Sequence, residues 1–594
     1  MDVKSKWDER IERDEEFAEF MVSHSTRKKN AQISVNTRQK GNDLYIKEKH
    51  NESIHKSILW YFSKSIAFAP TNSEELAESY YSRSTILSHI HRFKECLVDI
   101  ERASKLTKSI ELKSKLEAQK NKCLSLMNCQ NLNEQKSQGF NFNDKQQPPK
   151  LPQMAQSGVL PNVSEAIALM FDETFGRHFI ATRDIKPGEV IIIENSYIAF
   201  PNNKQKYIIC SHCLQFSWNG IPCENCTISM YCTESCKKES WKQYHNIECT
   251  ISSYIPIMHI DHNNAISDVT IAIRLFIKAV NKEGLHSVLN EAEAIDRARK
   301  TNLTLLFSEV LEYDTFRSLY NLSNNVQNTD EKDKVGDALL SKIIQLLSRY
   351  TNIFNEKKNV NNEVDDDFHV KIKQILHNIR HVIDINAFQY QGSICICQDL
   401  NSECTCDSNR GAVIAPFSSF INHSCASNVS RLFLPKNRIV MFTIAPVKKG
   451  DQLYDSYGPS LRMDRSIRQK ILQENFYFTC KCKVCNENWP TLKQLELVVD
   501  PVSESNIISQ VLAEFKKYYP NVSEKFMFQE TETVWPLNEE SLKKMIKMCE
   551  LIYKYCNNPI KSFLLSSYYR YFIDRIFYKL YGEDCRIPSN CFDM

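Results

Sequence analysis

No stretch of this 594-residue chain strings together the roughly 18 apolar residues that a membrane-spanning helix needs. No sign of charge dominates either. With 75 Lys and Arg against 72 Asp and Glu, the formal charge is +3, which excludes a global basic field for non-specific nucleic-acid binding. The first ten residues, Met1 to Arg10, are polar and charged and lack the apolar core of a secretory signal. The expectation is therefore a protein of the cytoplasm and nucleus. In such a reducing compartment the 22 cysteines are expected to be metal ligands or buried apolar side chains, not disulfides. What is present is an ordinary globular composition, 42% apolar and 25% charged, and a length that predicts about three to five domains.

The cysteines carry the strongest signal. Their first dense cluster reads Cys210-x2-Cys213, Cys223-x2-Cys226, Cys232-x3-Cys236 and His245-x3-Cys249. Seven thiols and one imidazole suffice for two closed tetrahedral zinc sites, the structural kind that leaves no position for water or substrate. A Cys-x2-Cys pair presents two thiolates from one tight turn. The wider pairs are i, i+4 spacings that put both ligands on one helical face, with Lys237, Lys238, Trp241 and Lys242 on a short helix between them. A second cluster, Cys480-x-Cys482-x2-Cys485, supplies three thiols and leaves one position open, for which Cys425 in Asn422-His423-Ser424-Cys425 is the candidate. Cys395, Cys397, Cys404 and Cys406 form two further Cys-x-Cys pairs, which either bind another metal or alternate along a strand.

The segments around the first cluster are β-rich. Phe179–Thr182 and Val190–Glu194 flank Pro187-Gly188 and read as a hairpin. Far downstream, Ile439–Ile444 and then Asp451–Gly458 read as strands of the same kind. The residues alone predict a β domain of short strands with the zinc module inserted into it.

The eight spaced ligands resemble the MYND zinc finger. The flanking Gly176-Arg177-His178, Asn422-His423-Ser424-Cys425 and Asp455-Ser456-Tyr457-Gly458-Pro459 resemble the SET methyltransferase domain. Their order resembles the SET and MYND (SMYD) family, in its branch with N-terminal tetratricopeptide repeats. The resemblance covers roughly residues 160 to 490. It implies interleaved finger ligands, with Cys210, Cys213, Cys232 and Cys236 on one zinc and Cys223, Cys226, His245 and Cys249 on the other. It also implies that Cys425 completes a post-SET site with Cys480, Cys482 and Cys485, for three zinc ions in all.

The implied fold is α+β and multidomain: tetratricopeptide-like helices over 1–126, a linker over 127–160, and a first SET part over 161–209. The MYND finger at 210–249 and a helical insert at 250–385 follow. The SET core then spans 386–460, a post-SET zinc region 461–490, and a helical C-terminal domain 491–594. The implied activity is methyl transfer from S-adenosylmethionine to lysine of a histone or non-histone protein. Tyr457 is the implied catalytic residue, and Gly176, Arg177, His178, Asn386, Ser419, Asn422, His423, Phe476 and Phe478 join it around the cofactor. The sequence departs from the family at His178, where many SET domains carry the second glycine of Gly-x-Gly. That histidine must point away or reshape the pocket, and Arg177 is available to the cofactor carboxylate.

In the N-terminal region, Gly41 and Ser84 mark two helical units 43 residues apart, longer than the usual repeat of about 34, so an insertion is expected near Lys56–Trp60. Either repeats or a plain helical hairpin fits. Met127–Gln156 reads as a flexible linker, and apolar periodicity marks C-terminal helices at 497–499, 507–519, 542–555 and 560–581. The expected partners are a protein substrate, a proline-containing peptide on the finger, and a deacetylase or chaperone partner on the repeats. The competing expectation is an adaptor of weak catalytic power. Direct DNA binding is not expected, since Lys237, Lys238 and Lys242 read as a solvated helix face.

Overall fold

The computed structural model describes residues 28–136, 160–252, 264–300, 314–324, 331–357, 365–391, 409–491 and 538–581, with single residues at 154, 494, 510 and 513. Cys395, Cys397, Cys404 and Cys406, most of the expected linker, and the helices expected at 497–499 and 507–519 lie outside the described residues.

Five antiparallel-packed helices open the chain: α1 (Ala31–Glu48), α2 (Glu52–Phe68), α3 (Glu74–His89), α4 (Phe93–Leu106) and α5 (Ile110–Lys136). Side-chain caps start three of them. Asn30 accepts from the Ile33 N–H at 2.9 Å, Ser73 from Leu76, and Ser109 from the Leu112 N–H at 3.2 Å, satisfying donors that a helix end leaves free. Gly41 is required by packing, because a Cβ there would meet the Phe62 ring of α2 at 2.6 Å. The insertion expected near Lys56–Trp60 is absent: those residues lie inside the continuous α2. The long spacing comes instead from helices of 18 and 17 residues in the first pair.

The β domain begins with β1 (Ile167–Asp172) and β2 (Gly176–Ala181), an antiparallel hairpin in the register Ile167↔Ala181 to Asp172↔Gly176. Next come β3 (Val190–Asn195) and β4 (Ile198–Pro201). The expected hairpin between residues 179–182 and 190–194 does not form. Both strands exist, but β2 pairs backward with β1, and β3 pairs with a strand some 245 positions later. The connection from 182 to 189 carries Pro187 and Gly188 (φ +81), and its Ile185 bridges to Val447 instead of closing a turn.

Two insertions follow β4. The first is the cysteine module, with β5 (Ile221–Pro222), β6 (Met230–Tyr231), α6 (Glu234–Ser240), a π-helical turn over Trp241–His245, and α7 (Asn246–Ile251). The second is helical: α8 (Asn264–Glu283), α9 (Leu285–Lys300), α10 (Phe316–Tyr320), α11 (Glu331–Tyr350) and α12 (Asp366–Asn386). The β domain then resumes with β7 (Ala387–Gln391), β8 (Asn409–Ile414), β9 (Asn422–His423), β10 (Val429–Leu434), β11 (Arg438–Thr443) and β12 (Tyr454–Asp455).

Strand order proves that the two halves form one domain. One sheet runs β10-β11-β3 and another β4-β8-β7, so each joins strands from both sides of the insertions. β9 and β12 pair in parallel, Asp455 opposite His423. Gly411 sits where β8 crosses β4 so closely that a Cβ would lie 2.0 Å from the Phe200 carbonyl oxygen.

Beyond the sheets lie α13 (Arg465–Phe476), α14 (Lys483–Asn486), α15 (Glu539–Tyr555) and α16 (Pro559–Tyr581). The last two cover β10 and β11 through a core of their own, in which Phe442 and Phe577 stack at 4.0 Å. No described helix is long and apolar enough to cross a membrane.

Candidate functional site

Three tetrads of ligand-type atoms are preformed, each with its atoms within 4.8 Å of one another: Cys210, Cys213, Cys232, Cys236; Cys223, Cys226, His245, Cys249; and Cys425, Cys480, Cys482, Cys485. A zinc–sulfur bond of about 2.3 Å fixes tetrahedral sulfur–sulfur edges near 3.8 Å. Observed separations are 3.5 Å for Cys213–Cys232, 3.7 Å for Cys223–Cys249 and 3.6 Å for Cys425–Cys485. The geometry and the chemistry of the donors both suit zinc. The pairs interleave within the first module, so each turn contributes to a site completed by a helix.

His245 shows how such a ligand is oriented. Its Nδ1 lies 3.0 Å from a Glu248 carboxylate oxygen and its Nε2 3.4 Å from Cys223 Sγ. A carboxylate accepts, so Nδ1 carries the proton and Nε2 turns its lone pair to the metal position. Burial would raise the Glu248 carboxyl, but the Arg274 charge and His245 outweigh it and hold it at about 2.

The third tetrad adjoins a cavity of about 1000 Å³. Gly176, Arg177, Asn386, Ser419, Asn422, His423, Tyr457, Phe476 and Phe478 all line it. His178 does not. It is buried on β2, with Nδ1 3.0 Å from the Gly176 carbonyl, Nε2 3.6 Å from Asp172 and its ring edge-on to Phe175. Of the two alternatives for the missing glycine, this side chain takes the one that points away from the cavity.

Strand pairing and the zinc tetrad together position Tyr457. It follows β12, whose partner β9 holds Asn422 and His423. The Tyr457 N–H donates to His423 Nδ1 at 3.1 Å, which leaves the His423 proton on Nε2, facing Cys425 Sγ at 3.5 Å. Burial keeps this imidazole neutral, its value lowered to about 4. One histidine thus links a metal ligand to the tyrosine backbone. The Tyr457 hydroxyl donates to the Ile421 carbonyl at 3.0 Å, and its ring packs against Phe476 (4.9 Å between centroids) and Phe478 (6.4 Å).

The turn that carries Ser419 is held from β3. The carboxylate of Glu194 accepts from the Phe417 and Ser418 backbone N–H groups at 3.0 and 2.9 Å and from the Ser418 hydroxyl at 2.9 Å. Ser419 donates its hydroxyl to Ala415. Asn422 ties β9 to the hairpin tip through the Phe175 carbonyl, and Asn386 closes α12 onto Ser323 and Val382.

Arg177 is half-buried, with one nitrogen on the Asn321 carbonyl, its plane over Phe420 and the other nitrogen buried without a partner. A buried cationic donor beside a cavity needs an acceptor from elsewhere. Its burial, and behind it the Arg299 charge, lower its value to about 10.

The SET-domain family profile matches residues 176–458, the span from β2 to the residue after Tyr457. Over that span, a little under half of its length, the chain resembles the SET-domain family. Within it, the chain resembles protein-lysine N-methyltransferase SMYD4 of Danio rerio, at 22% identity over 78% of this chain and 66% of that one. The human SMYD4 gives 22% over 75% and 66%. A SET and MYND domain-containing protein of Dictyostelium discoideum is 26% identical over 54% of this chain and 81% of its own. The chain thus spans just under two-thirds of the length of these SMYD4 relatives. A crystal structure of the SET domain of LSMT bound to lysine and AdoHcy is 11% identical, with a TM-score of 0.24 over 70% of this chain and 71% of that one.

The cavity and the turn that carries Ser419 also involve residues that motif reading missed. Phe388 stands two residues beyond Asn386 and was within reach of the same signal. Glu194, Arg431 and Tyr454 had none, because only tertiary pairing brings them to the site.

Proposed function

We propose that this protein is an S-adenosylmethionine-dependent protein-lysine N-methyltransferase acting on a histone or non-histone protein, in the cytoplasm and nucleus. The carrying observation is Tyr457, half-buried in the cavity lining, with its ring packed against Phe476 and Phe478 and its hydroxyl directed to the Ile421 carbonyl.

The residues fit the cofactor. Arg177 offers its unpartnered nitrogen to a carboxylate, and Asn386, Ser419, Asn422 and His423 surround the same space. When bound, S-adenosylmethionine supplies a methyl group on a sulfonium that leaves readily. The chain's own contribution is alignment, which in well-oriented reactions supplies about 7–11 kcal/mol. Tyr457 orients the acceptor amine toward the cofactor end. That amine must be neutral to attack, although a free lysine has a value of about 10.4. Phe388, Phe476 and Phe478 form an apolar wall that disfavours the ammonium. Arg177, Arg431 and Lys481 are the charged groups among the described lining residues, so no described carboxylate holds the proton on.

We read residues 210–249 as a MYND finger and α1–α5 as tetratricopeptide repeats, surfaces for a proline-containing peptide and for a deacetylase or chaperone partner. The two are joined: Arg83 donates to the Gly220 carbonyl, Arg102 to that of Asn219 and Thr71 to that of Glu224, while Arg92 lies over Trp218. The three zinc ions serve folding in this reading, and none stands at the reacting atoms. The adaptor alternative drew on His178, and the turned-away ring removes that support.

Labelled S-adenosylmethionine with histones or cell extract tests the proposal. Tyr457→Phe is expected to lose transfer while retaining cofactor binding by calorimetry. Equal transfer by this variant overturns the role of Tyr457, and absence of cofactor binding by the parent at millimolar ligand returns the adaptor.

A further inference from the structure

The residues before Tyr457 are gripped from a neighbouring strand. Arg431, on β10, reaches across to β12, where one guanidinium nitrogen donates both to the Asp455 carboxylate and, at 3.2 Å, to the Ser456 carbonyl. The second Asp455 oxygen accepts the Ser456 N–H at 2.7 Å, and the Asp455 carbonyl accepts from Ser424 N–H at 3.0 Å. Side chain and main chain of residues 455 and 456 are therefore both fixed. After Tyr457 the hold is longer: the Ser456 hydroxyl accepts from the Gly458 N–H at 3.3 Å and donates to the Pro459 carbonyl at 3.4 Å, while Gly458 has φ +121 and open space around its Cβ position.

Asp455 is 5% exposed and the Arg431 side chain 27%, so the pair is shielded from water on the carboxylate side. Arg431 also lines the cavity, its guanidinium 5.5 Å from the Phe388 ring. The preceding Ser430 donates to Asp574 of α16, which pins this strand from the C-terminal helices. One side chain thus touches the strand leading to the tyrosine and the opposite wall of the cavity.

We propose that Arg431 is a positioning residue for Tyr457, acting through Asp455 and Ser456 to hold the tyrosine hydroxyl in its place on the Ile421 carbonyl. The inference rests on the assigned role of Tyr457 in methyl transfer. A misplacement on the order of 1 Å costs roughly 100-fold in rate when geometry carries the catalysis. Removing Arg431 leaves Asp455 as a buried charge without its partner, so the 455–457 segment must move to solvate it. Lysine at 431 keeps the charge but has one compact donor group in place of the planar fork.

The experiment uses the full chain carrying meta-fluorotyrosine at 457, as parent, Arg431→Met, Arg431→Lys and Arg431→Met/Asp455→Asn, with zinc content confirming folding. For Arg431→Met we expect a kcat about 10- to 100-fold lower, KM for the cofactor within about twofold, and a shifted or broadened fluorine resonance. Arg431→Lys is expected to recover part of both, and the double variant to fall no further than Arg431→Met. An unmoved resonance in Arg431→Met overturns the inference whatever the turnover, as does a loss confined to cofactor KM. If the parent transfers no methyl group, the functional reading fails, and the fluorine resonance still decides the positioning.

Discussion

Arg274→Met separates folding from metal binding in the finger. Arg274, on α8, is 4% exposed and makes a two-pronged ion pair with Glu248, at 2.8 and 3.0 Å. Its remaining nitrogen donates to the Ala199 and Ser211 carbonyls, and its plane lies between Phe200 and Tyr244 at 4.5 and 4.6 Å. Glu248 in turn orients His245. Methionine keeps the length and the ring contacts but leaves a buried carboxylate unpaired, a loss of about 3–5 kcal/mol. With its orienting partner disturbed, His245 is expected to hold zinc about 10- to 100-fold less tightly.

A second variant, Arg274→Met/Glu248→Leu, removes both charges. An apolar pair of similar volume often matches or exceeds a buried ion pair in stability. Unfolding at saturating zinc is therefore expected to recover toward the parent. Zinc affinity is not, because His245 still lacks an acceptor for Nδ1. Chemical denaturation and competition with a chromophoric chelator read the two quantities. If the double variant regains zinc affinity along with stability, or if Arg274→Met alone changes neither, the orienting role of Glu248 is refuted.

Glu194 gives a pH signature. Burial raises its carboxyl to about 7, against three donors that lower it, from an ordinary value of 4.5. Its stabilising contribution is full below the unfolded value and is lost as pH rises through the folded one, so relative to Glu194→Gln the parent should gain about 2–3 kcal/mol between roughly pH 8 and pH 5; a pH-independent difference in denaturation refutes the raised value. Arg83 and Asp99 are each 0% exposed, and Asp99→Leu leaves Arg83 unpaired beside Gly220. It should cost about 3–5 kcal/mol and expose the 217–224 loop to proteolysis, and an unchanged digestion pattern counts against the joint between helices and finger. Cys482→Ser opens the third tetrad next to Phe478; cofactor affinity by calorimetry should fall, and full retention would show that the aromatic wall stands without the metal.

What could be read in the sequence was local. Each Cys-x2-Cys turn or i, i+4 pair defines two ligands within five residues, so spacing alone found the eight finger positions, whereas Cys425, 55 positions from Cys480, was a candidate that only the family resemblance paired with that cluster. The strands at 190–194 and 439–444 were legible from their β-branched residues, but alternation does not name a partner. Pairing β3 with β11 depends on sheet closure, and the expected hairpin failed for that reason. The helical units were legible from small residues at packing positions, yet their long spacing was assigned to an insertion where the structure lengthens the helices. Buried and half-buried charges were the least legible. Glu194, Arg274 and Arg431 look like surface residues in one dimension, and only their partners, at positions 417–418, 248 and 455, make them structural.

These buried charges explain how a domain cut by two insertions keeps one cavity in register. β3 and β4 are separated by Ser196 and Tyr197 alone, yet they pair with β11 and β8 from the far side of both insertions. Any tilt of the finger or of the helical insert would pull directly on that corner. Arg274 prevents the tilt by spanning the insert, the finger and β4 at one point, through Glu248, Ser211 and Ala199. Glu194 carries the alignment onward, because the strand that emerges from this corner also holds the turn beneath Ser419 and Asn422. The finger is thus mechanically upstream of the cavity without lining it. Its two tetrads thereby help set where Tyr457 and its neighbours stand, the residues to which the proposed methyl transfer is assigned.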